Sequence, residues 1–119
     1  MKKILFVDDE SDWRSVVAAQ LKELGHETIA AKNASEAMRL ADGAKLGLII
    51  LDVDLAGEDG LTLMRYLRRN HPSVPILIFT GLEHDDDAIK KILAQGASQY
   101  VRKGTLDELV HAVQRSFRN

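Results

Sequence analysis

Apolar residues along this chain fall into short unbroken runs that alternate with longer segments in which they recur every three or four positions. The runs are Ile4 to Val7, Thr28 to Ala31, Leu48 to Leu51, Ile76 to Phe79 and a weaker one at Tyr100-Val101. Their length and composition predict five strands. Between the first two, Trp13, Val17, Leu21 and Leu24 form one stripe of an amphipathic helix, which Gly25 is suited to end. Asn33 with Glu36, and Thr105 with Glu108, have the spacing of capping boxes and predict the starts of a second and a fifth helix. A third helix is expected over Leu61 to Arg69 and a fourth over about Asp86 to Gln95.

Strands separated by single helices require crossover connections, and hence a parallel sheet covered on both faces. Leu48-Ile49-Ile50-Leu51, apolar without alternation, fits such a doubly covered strand. The expected class is therefore α/β, a doubly wound (βα)5 fold in three layers. In such sheets ligands sit beyond the carboxyl ends of the strands. Asp8, Asp9 and Glu10 follow the first run, Asp52 the third, Thr80 and Gly81 the fourth, and Lys103 and Gly104 the fifth. Crowding Asp8, Asp9 and Asp52 at one edge is unfavourable unless a cation or proton intervenes. All-oxygen ligands suit a hard ion such as magnesium. A carboxylate can be the nucleophile in phosphoryl transfer, where charge spreads over the equatorial oxygens. A lysine ammonium, a threonine hydroxyl and a metal can offset that charge. Taken singly, none of these residues is specific: the acids also suit the start of a helix, through its dipole.

The length of 119 residues fits one domain, 1–119. With 45% apolar and 29% charged residues, neither disorder nor a membrane span is expected. A net charge of -2 supplies no broad positive field, so this domain is not expected to bind nucleic acid directly. Absence of cysteine excludes disulfides and thiolate metal sites and fits a reducing compartment. Met1-Lys2-Lys3 leads into only four apolar residues before the acids, neither a signal peptide nor a membrane span, so a cytoplasmic location is expected. His26, His71, His84 and His111 share no metal-ligand spacing and read as surface residues. The acidic run Glu83 to Asp87 reads as a solvated start to the fourth helix.

From Lys3 to about Phe117 the chain resembles the response-regulator receiver family of two-component signalling, in its chemotaxis-receiver-like form. The resemblance rests on Asp8-Asp9-Glu10, Leu51-Asp52-Val53-Asp54-Leu55-Ala56-Gly57-Glu58-Asp59-Gly60, Phe79-Thr80-Gly81 and Tyr100-Val101-Arg102-Lys103. It implies a flavodoxin-like sheet of order 2-1-3-4-5 and a phosphoacceptor at Asp52. It also implies magnesium held by Asp8, Asp9, Asp52 and the backbone carbonyl of Asp54, with Thr80 and Lys103 on the phosphoryl oxygens. Tyr100 would be the switch aromatic, following Thr80. The implied donor is a histidine kinase, a histidine phosphotransfer protein or a small acyl phosphate. The implied readout surface is the fourth helix, fifth strand and fifth helix, serving an output protein or domain or a phosphorylation-dependent homodimer. Self-phosphorylation and autodephosphorylation would be the only catalysis.

Two positions depart from the family. Gly104 stands where proline usually follows the lysine, often after a cis bond that costs about 2.5 to 4 kcal/mol without proline. Ala56 stands where proline usually stiffens the loop, so a looser loop is expected. Trp13 is expected in the core, with any exposed part near the surface on which related receivers dock the phosphodonor. Leu82, two residues past Thr80, is expected to border the pocket and hinder water at an aspartyl phosphate. A second reading sets Asp52-Val53-Asp54 beside the haloacid-dehalogenase phosphatases, with Asp54 as general acid. The acid pair, however, comes first here and the chain has no room for a cap. A third reading is a pseudo-receiver used only for interaction. A nucleotide binder is excluded because no glycine-rich loop follows the first strand.

Overall fold

Along residues 3–117, the part of the chain that the computed structural model describes, strand and helix alternate as the hydrophobic pattern predicts. Met1, Lys2, Arg118 and Asn119, which the single-domain reading also covers, lie outside the described residues. The strands are β1 (Lys3–Val7), β2 (Thr28–Ala31), β3 (Leu46–Leu51), β4 (Ile76–Thr80) and β5 (Gln99–Arg102). The helices are α1 (Ser11–Glu23), α2 (Ala34–Ala41), α3 (Gly60–Asn70), α4 (Asp86–Ala94) and α5 (Leu106–Ser116). All strand pairs of the sheet are parallel, in the order β2-β1-β3-β4-β5, which is the flavodoxin-like order.

Successive side chains of a strand point to opposite faces, and each face of this sheet has its own core. Leu5, Val7, Ile49, Leu51, Ile76 and Ile78 pack with α2, α3 and Ile92 of α4. Ile4, Phe6, Leu48, Ile50, Leu77 and Phe79 pack with Val17 and Leu21 of α1 and Leu109, Ala112 and Val113 of α5. Two buried faces explain why Leu48 to Leu51 and Ile76 to Phe79 are apolar without alternation.

Local chemistry sets the helix ends. Asn33 caps α2 by accepting from the Glu36 amide at 2.8 Å, but Glu36 reaches back to the amide of Lys32, one residue earlier than a capping box requires. Thr105 caps α5 through the Glu108 amide, and Asp85 caps α4 through the Ala88 amide. The acidic run Glu83 to Asp87 thus does start the fourth helix. On α1, Val17 and Leu21 are buried, whereas Leu24 forms the C-cap and is 37% exposed, which corrects its assignment to the core stripe. Gly25 follows with φ +89°, a left-handed conformation that suits glycine.

One element escaped the sequence reading. Asp54–Leu55 and Glu58–Asp59 form a two-residue antiparallel hairpin between β3 and α3. Its turn residues, Ala56 and Gly57, have φ 46° and 91°, as a type I′ turn requires. Ala56, at the position where proline is usual, thus sits in a paired turn that proline could not adopt.

Candidate functional site

Sheet register brings the functional residues together. Val7 pairs with Ala31 on one side and Leu51 on the other. The ladder runs one residue further: the Asp8 amide donates to Ala31 O and the Asp52 amide to Val7 O, both at 3.0 Å. Asp8 and Asp52 are thereby neighbours at the carboxyl edge. Thr80 ends β4, and the Lys103 amide donates to its carbonyl at 2.9 Å. The Lys103 ammonium then lies 2.7 Å from Asp8 Oδ2 and 2.7 Å from Asp52 Oδ2. Asp8, Asp52 and Thr80 are buried, and the Lys103 side chain is only 6% exposed.

Burial pushes the Asp8 carboxyl above the ordinary carboxylate range, and the contact with Lys103 offsets only part of that rise. For Lys103, burial alone would weaken the base, but the hydrogen bond to Asp52 and the ion pair with Asp8 outweigh it and hold the ammonium above its usual 10.5. Asp52 Oδ1 accepts from the Asp54 amide at 2.9 Å, and Asp8 Oδ1 from the Glu10 amide at 2.9 Å. Asp8 Oδ2 is buried, and its contact with Lys103 has ion-pair distance without the alignment of a hydrogen bond. Carboxylate oxygens of Asp8, Asp9 and Glu10 come within 4.8 Å of one another. This all-oxygen cluster, with a buried lone pair unspent, fits magnesium. Glu10 belongs to that cluster although the sequence reading did not single it out as a ligand. Arg14, also missed, donates to the Asp8 carbonyl at 2.8 Å.

The second strand of the hairpin after Asp52 is tied to α2 and α3. Glu58 accepts from the Ala34 amide at the start of α2, at 3.1 Å. Asp59 caps α3 through the Leu61 amide and accepts from the Thr62 hydroxyl, which holds its carboxyl below the ordinary range. Gly60 has a packing reason: a Cβ there would lie 2.5 Å from Val53 Cα and 2.8 Å from the carbonyl of Asp52.

On the α4 side, Tyr100 and His84 meet edge to face, ring centroids 5.6 Å apart, and the His84 Nδ1 is hydrogen-bonded to the Tyr100 hydroxyl. Burial raises the Tyr100 pKa above that of an ordinary phenol. His84 is therefore a partner of the candidate switch residue, and His26 stacks on Phe117 at 4.9 Å; neither is the plain surface histidine expected. Leu82 is 43% exposed, its amide donating to Thr80 Oγ1 at 3.2 Å. Trp13 is half-buried against the α1/α5 core, as expected. The Lys103-Gly104 peptide is trans. Among the described residues no helix is long and apolar enough to cross a membrane.

Strand order and the buried acid–lysine edge define the class, a flavodoxin-like α/β domain with an acidic site at the carboxyl edge of its sheet. Residues 4–114 match the response regulator receiver domain, and the chain belongs to that family. It is 35% identical over 103 residues to the virulence transcriptional regulatory protein PhoP of Salmonella typhimurium, covering 87% of this chain and 46% of PhoP. It is 32% identical over 116 residues to an NtrX-like response regulator of Rickettsia bellii, covering 95% of this chain and 24% of that protein. The chain thus spans about a quarter to just under half of these relatives. The crystal structure of a two-component response regulator from Clostridium difficile has a TM-score of 0.91 at 29% identity, over 100% of this chain and 98% of that one. This membership removes the haloacid-dehalogenase alternative. Asp54, its supposed general acid, has an exposed side chain and pairs with Asp59 in the hairpin.

Proposed function

We propose that Asp52 accepts a phosphoryl group in a magnesium-dependent reaction, with Asp8, Asp9, Asp52 and the Asp54 carbonyl as metal ligands. The observation that carries this reading is the single ammonium of Lys103 at 2.7 Å from both buried aspartates. An Asp52 oxygen attacks phosphorus as the bond from phosphorus to the donor's histidine nitrogen, or to the oxygen of an acyl phosphate, breaks in line. Magnesium, when bound, supplies positive charge to the crowded acids and the phosphoryl oxygens. Lys103 and the Thr80 hydroxyl hold the other phosphoryl oxygens. Thr80 turning inward draws Tyr100 after it, shifting the population of the surface formed by α4, β5 and α5. Ile89, Tyr100, Arg102, Glu108, His111 and Arg115 line a cavity on that surface.

The donor is a histidine kinase or a histidine phosphotransfer protein in the cytoplasm, with small acyl phosphates as substitutes. The output partner is a following domain, another protein or a second phosphorylated copy. Hydrolysis by water resets the switch, and the exposed Leu82 slows it by screening the aspartyl phosphate; Leu82→Glu should shorten its lifetime.

Incubation with magnesium and acetyl phosphate or beryllofluoride, followed by Trp13 fluorescence and intact mass, tests the reading. A metal-dependent response that Asp52→Asn abolishes is expected. Folded protein that responds to neither reagent would favour an interaction module that is not phosphorylated.

A further inference from the structure

Lys103 is steered from a side that the acid pair does not account for. Gly104, its successor, has no side chain, and nothing lies within 4 Å of where a Cβ would be. The neighbours of its ammonium lie across the fold, and they are aromatic as well as acidic. Its ammonium lies 5.4 Å from the centroid of the Trp13 ring and 6.0 Å from that of Phe79. Trp13 and Phe79 themselves meet edge to face, centroids 5.2 Å apart at 89°. Phe79 is fully buried in β4, beside Thr80, and so anchors the pair. A cation within about 6 Å of an aromatic face is attracted by the ring quadrupole, the more so where water is excluded.

We propose that Trp13 is a positioning residue for the phosphoryl-transfer step: with Phe79 it forms an aromatic cradle that holds the Lys103 ammonium between Asp8 and Asp52. The acids attract the ammonium without defining its approach, because a carboxylate accepts from several directions. The two rings add aromatic neighbours within 6.0 Å of the ammonium, on α1 and β4. This proposal rests on the phosphoacceptor reading above and adds a residue from outside the acid cluster. The seat requires an aromatic face, not merely bulk: a leucine could fill much of the space against the core but offers no quadrupole.

Comparison of wild type with Trp13→Leu and Trp13→Phe tests the cradle. In the metal-free protein, the ring current of Trp13 should shift the Lys103 ε-methylene protons upfield in NMR spectra. That shift should vanish in Trp13→Leu and persist, reduced, in Trp13→Phe. The rate of Asp52 modification by acetyl phosphate with magnesium, read by intact mass, should fall roughly three- to tenfold in Trp13→Leu. Trp13→Phe should stay within about twofold of wild type. Unshifted Lys103 protons in wild type, or equal rates for wild type and Trp13→Leu, would overturn the cradle and leave the phosphoacceptor reading standing. So would a loss in Trp13→Phe as large as in Trp13→Leu. A wild type that acetyl phosphate and a kinase both fail to modify on Asp52 would overturn the phosphoacceptor reading, and the positioning role with it.

Discussion

Asp52 and Lys103 stand 51 residues apart in the chain and meet at 2.7 Å, carboxylate oxygen to ammonium. Although burial opposes its charge, the hydrogen bond to Asp52 and the ion pair with Asp8 keep Lys103 above 10.5 in the folded protein. A base whose folded pKa is raised binds its proton more tightly when folded. Its stabilising contribution is therefore whole at neutral pH and lost as pH rises past 10.5 through the folded value. Lys103→Met should unfold at lower urea than wild type at neutral pH, and the gap should narrow at about pH 11. A gap unaltered between the two conditions would mean that the ammonium charge is not what stabilises.

Asp8 presents the opposite balance. Its carboxyl is raised by burial, so at neutral pH its ionised form costs stability in the metal-free protein, a cost relieved as pH falls and the carboxyl protonates. Asp8→Asn should raise stability by about 1 kcal/mol, roughly 3 to 6 °C in Tm for a domain of this size. The same change should remove the fluorescence response to magnesium. A variant less stable than wild type would show that the pair with Lys103 outweighs the burial of Asp8.

Ala56 holds φ 46°, where an L-residue costs about 1 to 2 kcal/mol and proline, locked near −65°, does not fit. Ala56→Gly relieves that strain against about 0.5 to 1 kcal/mol of extra unfolded-chain entropy, a net gain of up to about 1.5 kcal/mol. Ala56→Pro, although it restores the residue common in the family, should destabilise by more than about 1 kcal/mol. Urea denaturation of the two variants decides; a stabilising proline would mean that the turn is of another type.

His84 covers the ring of Tyr100 and is hydrogen-bonded to its hydroxyl. In His84→Ala that hydroxyl meets more water, and the pKa raised by burial should move back down toward the ordinary phenol value. The chain has two tyrosines, so absorbance titration in the alkaline range resolves the change, with Tyr100→Phe identifying the step. An unmoved upper step would show that β5 and α4, not His84, bury the phenol.

How far each feature could be read from the chain depends on the range of the forces behind it. Alternation of Ile4 to Val7, Leu48 to Leu51 and Ile76 to Phe79 with helix-period segments determined the doubly wound class, because the burial of strands and helix faces is written in local periodicity. Acids, threonine and lysine just past those runs marked the candidate edge, because strand ends in such sheets converge. The family motifs made the sheet order legible, since they share it as a resemblance.

Tertiary structure alone decided the rest. Thr80 proved to be the last residue of β4, and Asp54 to Asp59 a hairpin, because pairing partners and a positive φ at Ala56 carry no periodic signal. His84 on Tyr100 and Trp13 beneath Lys103 are contacts between side chains on different elements. Their distances arise from the packing of α1 and of the β4–α4 loop onto the sheet. Residue type at a position says which interactions a side chain can make; only packing selects the partner it finds.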